Sequence, residues 1–258
     1  VLEAIILGFI QGITEFLPVS STAHLILLPW LFDWTGVVDT LTFDVALHAG
    51  TLAALLLCFW RDWVELIARK QRLLILVCIA SVPAGIAGLL LNDVVEKDLR
   101  SPLLISVMLV AFGIVMLRAD KSRRYKRVDE VTLVDAVIIG LSQAIAIVPG
   151  VSRSGITISA GLFRGLEREA AARFSFLLST PIIGAAALLH AQKAVDSPGS
   201  YDARLFIAGF LVSFVAGFVA IKFMLRFLKR YPLTVFVSYR FALAVVIIAM
   251  TWFRGYGG

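Results

Sequence analysis

Long apolar runs, broken at recurring places by glycine, proline and hydroxyl-bearing residues, set the pattern of this chain. The first run, Leu2 to Leu17, is interrupted by Gly8, Gly12 and a polar cluster, and a second short run, Ser21 to Phe32, follows Pro18. A helix rises about 1.5 Å per residue and a bilayer core is about 30 Å thick, so neither run makes a comfortable span. Together they predict a helical hairpin that enters the membrane and returns. Three better spans follow at Phe43–Trp60, Leu73–Leu91 and Pro102–Leu117, and then a polar, basic segment from Arg118 to Glu130. After it the order starts again. Leu133–Val148 and Ser154–Phe163 form a second short, interrupted pair, and Phe174–Ala191, Leu205–Phe223 and Leu233–Phe253 form three more spans.

This recurrence extends to residue identities. Adding 132 to each position lays Ala4–Ile26 over Ala136–Ile158 without a gap, matching Ala4 with Ala136, Gly8 with Gly140, Gln11 with Gln143, Val19 with Val151 and Ser20 with Ser152. The same register pairs Leu73 with Leu205, Ser81 with Ser213, Gly85 with Gly217 and Ser106 with Ser238. Apolar sequences match easily by chance, but a register held through both halves indicates internal duplication. The expected organisation is one membrane domain over residues 1–258, with repeat one at 1–118, a basic linker at 119–132 and repeat two at 133–254.

Composition narrows the class. The chain is 60% hydrophobic and 16% charged, with a mean hydropathy of +0.92, which points to a polytopic helical membrane protein. A net charge of +6 would suggest nucleic acid in a soluble protein. Here the cations sit in short connecting segments, so the positive-inside rule accounts for them and no nucleic-acid partner is expected. Segments 61–72, 118–130, 164–173 and 222–230 carry most of them and belong in the cytoplasm. Three spans per repeat is an odd number, so the two repeats are inverted, with hairpins entering from opposite faces. The expected fold is thus all-α, with six transmembrane helices and two re-entrant hairpins in an inverted-topology repeat. Such folds place their site near the midplane where broken helices meet. Cys58 and Cys78 lie in separate apolar runs without metal-ligand spacing and read as inert thiols.

Polar groups at membrane depth mark function when they face a protein interior or a watered cavity. The first hairpin tip holds Gln11, Glu15, Ser20, Ser21, Thr22 and His24, and the second holds Ser152, Arg153, Ser154 and Thr157, with Arg153 opposite Ser21 in the repeat register. A guanidinium among hydroxyls suits phosphate, because its planar fork gives bidentate hydrogen bonds. Gly150 and Gly155 would let backbone approach an anion at a helix N-terminus. A carboxylate and an imidazole beside a hydroxyl supply the parts for acid–base or nucleophilic catalysis. Glu15 could also hold a divalent cation, although one carboxylate makes a poor metal site alone. His48 and His190 read as helix-packing residues, and the repeat-related Gln11 and Gln143 as structural ones. Arg240, inside an apolar span, is open to pairing with Asp44 or Asp135 or to substrate contact.

At these residues the chain resembles a known family. QGITEFLPVSSTAH, followed downstream by PGVSRSGITISAG, is similar to the undecaprenyl-pyrophosphate phosphatases of the bacitracin-resistance type, and the likeness extends to FSFLLSTP and the closing YRF. The family's (E/Q)xxxE motif is met by Gln11 and Glu15, and its PGxSRSxxT motif from Pro149 to Thr157. Gln11 stands where many members carry a second glutamate, which leaves Glu15 with the essential charge; Ala23 replaces a frequent glycine. The resemblance implies hydrolysis of undecaprenyl pyrophosphate to the monophosphate and inorganic phosphate. It further implies a bacterial inner-membrane enzyme of cell-wall lipid recycling, open to the periplasm and conferring bacitracin resistance.

By position, the resemblance gives Glu15, Ser21, His24 and Arg153 catalytic roles, with Gln11, Ser20, Thr22, Ser152, Ser154 and Thr157 as substrate contacts. It implies a divalent cation, Mg2+ or Ca2+, at Glu15. The residues leave two versions of the reaction open: Ser21 attacks phosphorus after His24 takes its proton, or Glu15 or His24 activates water; His24 and Glu15 are the favoured acid–base pair. Membrane lipid is the other expected partner, and a homodimer the candidate assembly.

Two other readings compete. A lipid-phosphate transporter or flippase would share the inverted repeats and the midplane anion site, but has no need of Glu15 and His24. A type-2 phosphatidic-acid phosphatase would need a later histidine followed closely by aspartate, whereas His190 has none before Asp196.

Overall fold

The computed structural model describes residues 1–36, 40–196 and 202–256. Every regular element among them is helical. The order is α1 (Leu2–Phe16), α2 (Ser21–Phe32), α3 (Leu41–Cys58), α4 (Trp60–Ala68), α5 (Gln71–Asp98), α6 (Pro102–Ala119), α7 (Leu133–Ile145), α8 (Arg153–Phe163), α9 (Arg168–Asp196), α10 (Ala203–Leu228) and α11 (Thr234–Tyr256). Five of these, α5, α6, α9, α10 and α11, are long and apolar enough to cross a membrane, and α3 with α4 makes up to six. Their outer faces are dressed for lipid, with Leu89, Leu90 and Val245 at 74%, 75% and 67% exposure. This is a multi-pass membrane protein.

The hairpins break where the sequence forbids helix. Pro18 lacks an amide donor and pushes the preceding Leu17 into extended backbone, at φ −72° and ψ 139°. In the second repeat Pro149 and Gly150 do the same work, with Gly150 at φ +94°. The chain then restarts as α2 and α8 from Ser20 and Ser152, both at positive φ, 76° and 72°. The strain falls at positions 132 apart, in the register that relates the two halves of the sequence. Such backbone costs on the order of 1–3 kcal/mol per residue and persists only where its surroundings hold it.

The first helix of each broken pair is seated on the other half of the chain. α1 packs along α10, and α7 along α5; in the 132-register α1 corresponds to α7 and α5 to α10. Glycine makes the approach possible. A Cβ on Gly8 would lie 2.7 Å from the Gly209 carbonyl oxygen, and one on Gly140 would collide with the Ala80 backbone. Close backbone packing of small residues is how helices associate where lipid removes the hydrophobic drive between them. α9 runs through the centre, with 56% of its apolar window buried against 28% to 33% for the other spans. Its Phe176 takes Phe16 and Phe59 edge-on, at centroid distances of 5.4 and 6.3 Å.

The basic segments meet at one end of the molecule. Lys70 pairs with Asp129, Arg168 with Asp120 through two bonds of 2.5 and 2.8 Å, Arg173 with Asp62, and Lys229 with Glu169. Arg254 and Asp33 pair at 3.1 Å elsewhere, joining α11 to the end of α2.

Two features differ from the sequence reading. Residues 61–72, taken as a loop, contain α4, bent 65° from α3. Trp60, Val64 and Ile67 are exposed while Leu66 is buried, the pattern of an amphipathic helix lying at the membrane boundary. The spans also run past their apolar cores, α5 to Asp98 and α9 back to Arg168. Hydropathy locates what lipid covers, but backbone hydrogen bonding carries the helix on into water.

Candidate active site

Glu15 is the hub of the two tips. It sits one turn after Gln11 on α1, so both side chains lie on one helix face, and both are buried. Gln11 Nε2 donates to Glu15 Oε2 at 3.0 Å, and the Ser21 hydroxyl donates to the same oxygen at 2.6 Å. The other oxygen, Oε1, is ion-paired with Arg153 of the second repeat. His48 Nε2 from α3 stands 3.5 Å from Oε2. A carboxylate this deep in the membrane is tolerable only with such partners.

The tips also bind each other through backbone. Ser20 Oγ accepts from the Gly150 amide at 3.2 Å, and Ser154 Oγ donates to the Leu17 carbonyl at 3.2 Å. Ser152 Oγ accepts from the Gly155 amide at 3.2 Å, capping α8. α2 and α8 therefore begin at the same place, bringing two helix N-termini with their unpaired amides and positive dipole ends together. An anion is the natural occupant of such a place.

A cavity of about 250 Å3 opens over this point. Ser20, Ser21 and Thr22 border it from α2 and its cap, Ser152 and Arg153 from α8, and Glu15 and His48 from beneath. Its walls come from Val45, Ala84, Gly88 and Ala186, in the halves of α3, α5 and α9 that lie away from the basic end.

His24, Ser154 and Thr157 do not border the cavity. The Thr157 hydroxyl is engaged with the Arg153 carbonyl at 2.7 Å and Ser175 Oγ at 2.5 Å. His24 Nδ1 lies 2.7 Å from the Ser20 carbonyl, which only accepts, so Nδ1 carries a proton. Its Nε2 is 2.7 Å from the Tyr239 hydroxyl, which donates to the neutral ring, and the two rings stack at 5.7 Å. The geometry thus departs from a His24–Glu15 pair serving Ser21: the Ser21 proton points at Glu15, and His24 ties the Ser20 turn to α11.

Arg240 pairs with neither Asp44 nor Asp135. It is fully buried and donates to the carbonyls of Leu109 (3.1 Å), Met108 (3.3 Å), Pro18 (3.4 Å), Gly150 (2.7 Å) and Val151 (3.2 Å). Breaking the helices at both tips leaves carbonyls without amide partners, and a five-donor guanidinium answers them together. Asp135 instead caps α7 with Thr132 and holds Lys126 at 3.0 Å and Arg164 at 2.7 Å. His48, expected to be a packing residue, borders the cavity; its Nδ1 lies 2.7 Å from the Asp44 carbonyl oxygen, not the carboxylate. The signal was the line of Asp44, His48 and Thr51 at helical spacing in an apolar run. Tyr239 gave none beyond its neighbour Arg240. The side chain of His190 lies outside the described residues.

The donor set offers little to a resident divalent ion. Among the described residues Glu15 is the sole carboxylate bordering the cavity, and it is already paired with Arg153. No group of three or more His, Cys, Asp or Glu among the described residues has the arrangement to hold a metal.

The comparisons with known proteins agree with the motifs. The model of the family described as Bacitracin resistance protein BacA matches residues 4–246. An undecaprenyl-diphosphatase of Thermodesulfovibrio yellowstonii is 54% identical over 252 residues, covering 98% of each chain. The undecaprenyl-diphosphatases of Moorella thermoacetica and Desulforudis audaxviator are 49% and 47% identical, over 98% of this chain and 99% and 98% of theirs. With buried Glu15 joined to Ser21 and Arg153 where the family's two motifs meet, the chain belongs to the BacA family of bacitracin resistance proteins.

Proposed function

We propose that this protein is an undecaprenyl-diphosphatase: it hydrolyses undecaprenyl pyrophosphate to undecaprenyl phosphate and inorganic phosphate, recycling the lipid carrier of the bacterial cell wall. The observation that carries the reading is the Ser21 hydroxyl, donating at 2.6 Å to a carboxylate whose other oxygen is held by Arg153. Phosphate recognition needs an arginine and amides; it does not need a base poised against a hydroxyl. The relatives' names supply the substrate.

In the reaction, the terminal phosphoryl group docks at the α2 and α8 N-termini and draws Arg153 toward it. Glu15 takes the Ser21 proton as Ser21 Oγ attacks phosphorus, and the bond to the bridging oxygen breaks with its electron pair leaving on undecaprenyl phosphate. Glu15 passes that proton to the departing phosphate oxygen; water then attacks the phosphoserine, giving its proton to Glu15, which returns it to Ser21 Oγ as inorganic phosphate leaves. In the second version Glu15 activates water directly and Ser21 only orients it. A trapped phosphoserine at Ser21 selects the first; oxygen-18 passing straight from water into phosphate without that intermediate selects the second. His24 acts as a positioning residue for the Ser20–Ser21 turn, and Gln11 orients Glu15.

A divalent cation, Mg2+ or Ca2+, belongs to this reading as a companion of the substrate. Diphosphate oxygens would supply the ligands the chain lacks, with Glu15 as the chain's own contribution. Its chemistry would be to offset phosphate charge.

The two halves are read as an inverted repeat with α1–α2 and α7–α8 as re-entrant hairpins, within one domain split at the basic linker 119–132. The reciprocal seating of α1 on α10 and α7 on α5 supports this. The gathering of cations at one end supports a cytoplasmic face there, and the cavity walls on the opposite side support an active site open to the periplasm across the inner membrane. Bacitracin resistance, the property in the family's description, is proposed for this chain as well, and a homodimer is the proposed assembly. The test is phosphate release from the C55 diphosphate by purified protein in detergent, where wild type is active and Glu15→Ala and Arg153→Ala are not. Lipid movement in vesicles without phosphate release would instead establish a transporter.

A further inference from the structure

The catalytic reading leaves one buried polar side chain at the cavity without a role. Gln143 is 2% exposed, and neither its amide nitrogen nor its amide oxygen has a hydrogen-bond partner among the described residues. Its repeat mate Gln11 is equally buried but uses Nε2 on Glu15. Four residues beyond Gln143, where the first repeat has Glu15, the second has Ile147. The helix spacing that orients the carboxylate in one copy therefore gives the amide nothing to bind in the other. Gln143 borders the cavity instead, with Ser21, Ser152 and Arg153.

An orphaned amide in a water-poor interior is destabilising, and methionine or leucine would fill the same space without that cost. The charges already present say what the amide meets. Arg153 at rest is matched by Glu15, so an arriving diphosphate brings negative charge that this one guanidinium must share with the substrate's companion cation. A neutral donor adds a hydrogen bond without disturbing the resting pair, and its direction fixes where a phosphate oxygen sits.

We propose that Gln143 is a substrate-binding residue whose Nε2 donates to a phosphate oxygen of the lipid diphosphate, with Oε1 accepting from a protonated phosphate oxygen or a water. This rests on the phosphatase reading above. α7, α8 and α2 then each contribute one side chain to the headgroup: Gln143, Arg153 and Ser21. With Ile147 where the other half has Glu15, Gln143 has no carboxylate to orient and its amide is left for a ligand.

The test uses the full chain in detergent with farnesyl diphosphate, comparing wild type, Gln143→Met and Gln143→Leu for phosphate release and thermal unfolding. KM rises about tenfold, as expected for one lost charge-assisted hydrogen bond, while kcat stays within about twofold. The melting temperature holds or rises, since an orphaned amide has been replaced by an apolar group. Methylenediphosphonate raises the melting temperature of wild type and raises that of Gln143→Met less. An unchanged KM overturns the inference and leaves the amide to water alone. A fall in melting temperature with KM and kcat worsening together also overturns it, in favour of a structural glutamine. Wild type that releases no phosphate overturns the phosphatase reading and this inference with it; active wild type with an unmoved KM in both variants overturns this inference alone.

Discussion

Ser21 and Glu15 meet at 2.6 Å across a broken helix turn, and among the described residues no other group accepts from the Ser21 hydroxyl. In the proposed reaction this bond is what makes an anion-binding site reactive. Glu15→Gln keeps the shape and removes the base. Phosphate release should fall by roughly 10²- to 10⁴-fold, the usual contribution of a positioned general base. Arg153 is left without its counter-charge, so the melting temperature should fall too. Comparing kcat at equal folded fraction separates the effects, and near-normal turnover would remove Glu15 from the chemistry.

Tyr239→Phe deletes the donor to His24 Nε2 while keeping the stacked ring. One neutral hydrogen bond is worth about 1 kcal/mol, so kcat should drop less than tenfold, with a small loss of stability. His24→Ala also removes the anchor on the Ser20 carbonyl and should cost clearly more. A general-acid role for His24 would show as a changed pH–rate profile in Tyr239→Phe; a positioning role leaves the profile's shape alone.

Arg240→Met removes the donors that satisfy carbonyls of both tips and of α6. Hydrogen bonds to a charged group contribute about 1.5–3 kcal/mol each, so a loss on the order of 3 kcal/mol or more is expected in thermal unfolding. Lysine should not rescue it, since one ammonium cannot address carbonyls spread around a planar fork. Rescue by Arg240→Lys would show that charge alone matters there.

Mn2+ offers a probe of the cation's source. Ligand-free protein should show no tight site by titration calorimetry, because Glu15 is alone and occupied by Arg153. Addition of methylenediphosphonate should create one. Tight Mn2+ binding without the diphosphonate would mean a resident metal centre.

Glycine to alanine should act with opposite sign at two positions. At Gly140 the new methyl meets the Ala80 backbone and α7 must move off α5, so stability falls. At Gly85 a Cβ would have no atom within 4 Å. Alanine there should be neutral or stabilising by up to about 1 kcal/mol through helix propensity. Equal effects in detergent melts would show that close packing does not hold the hairpins.

How far the sequence reached is clearest at the tips. Pro18 and Pro149–Gly150 break helices for reasons of covalent geometry, and the 132-residue register shows both copies without coordinates. Glu15, Ser21 and Arg153 were legible because polar groups in lipid-facing sequence require a reason. His48 was not, since one histidine in an apolar helix looks the same whether it faces packing or a cavity.

The sequence by itself determined the apolar spans, the positions of the breaks and which polar groups gather at the tips, because proline, hydropathy and charge act locally along the chain. Only the tertiary structure decided who touches whom. The Ser21 hydroxyl hydrogen-bonds to Glu15 and not to His24, Arg240 serves carbonyls and not an aspartate, and Gln11 and Gln143 share a register position but meet different surroundings. Such contacts form between segments far apart in the chain, and their geometry follows from how closely glycine-lined helices from the two repeats can approach.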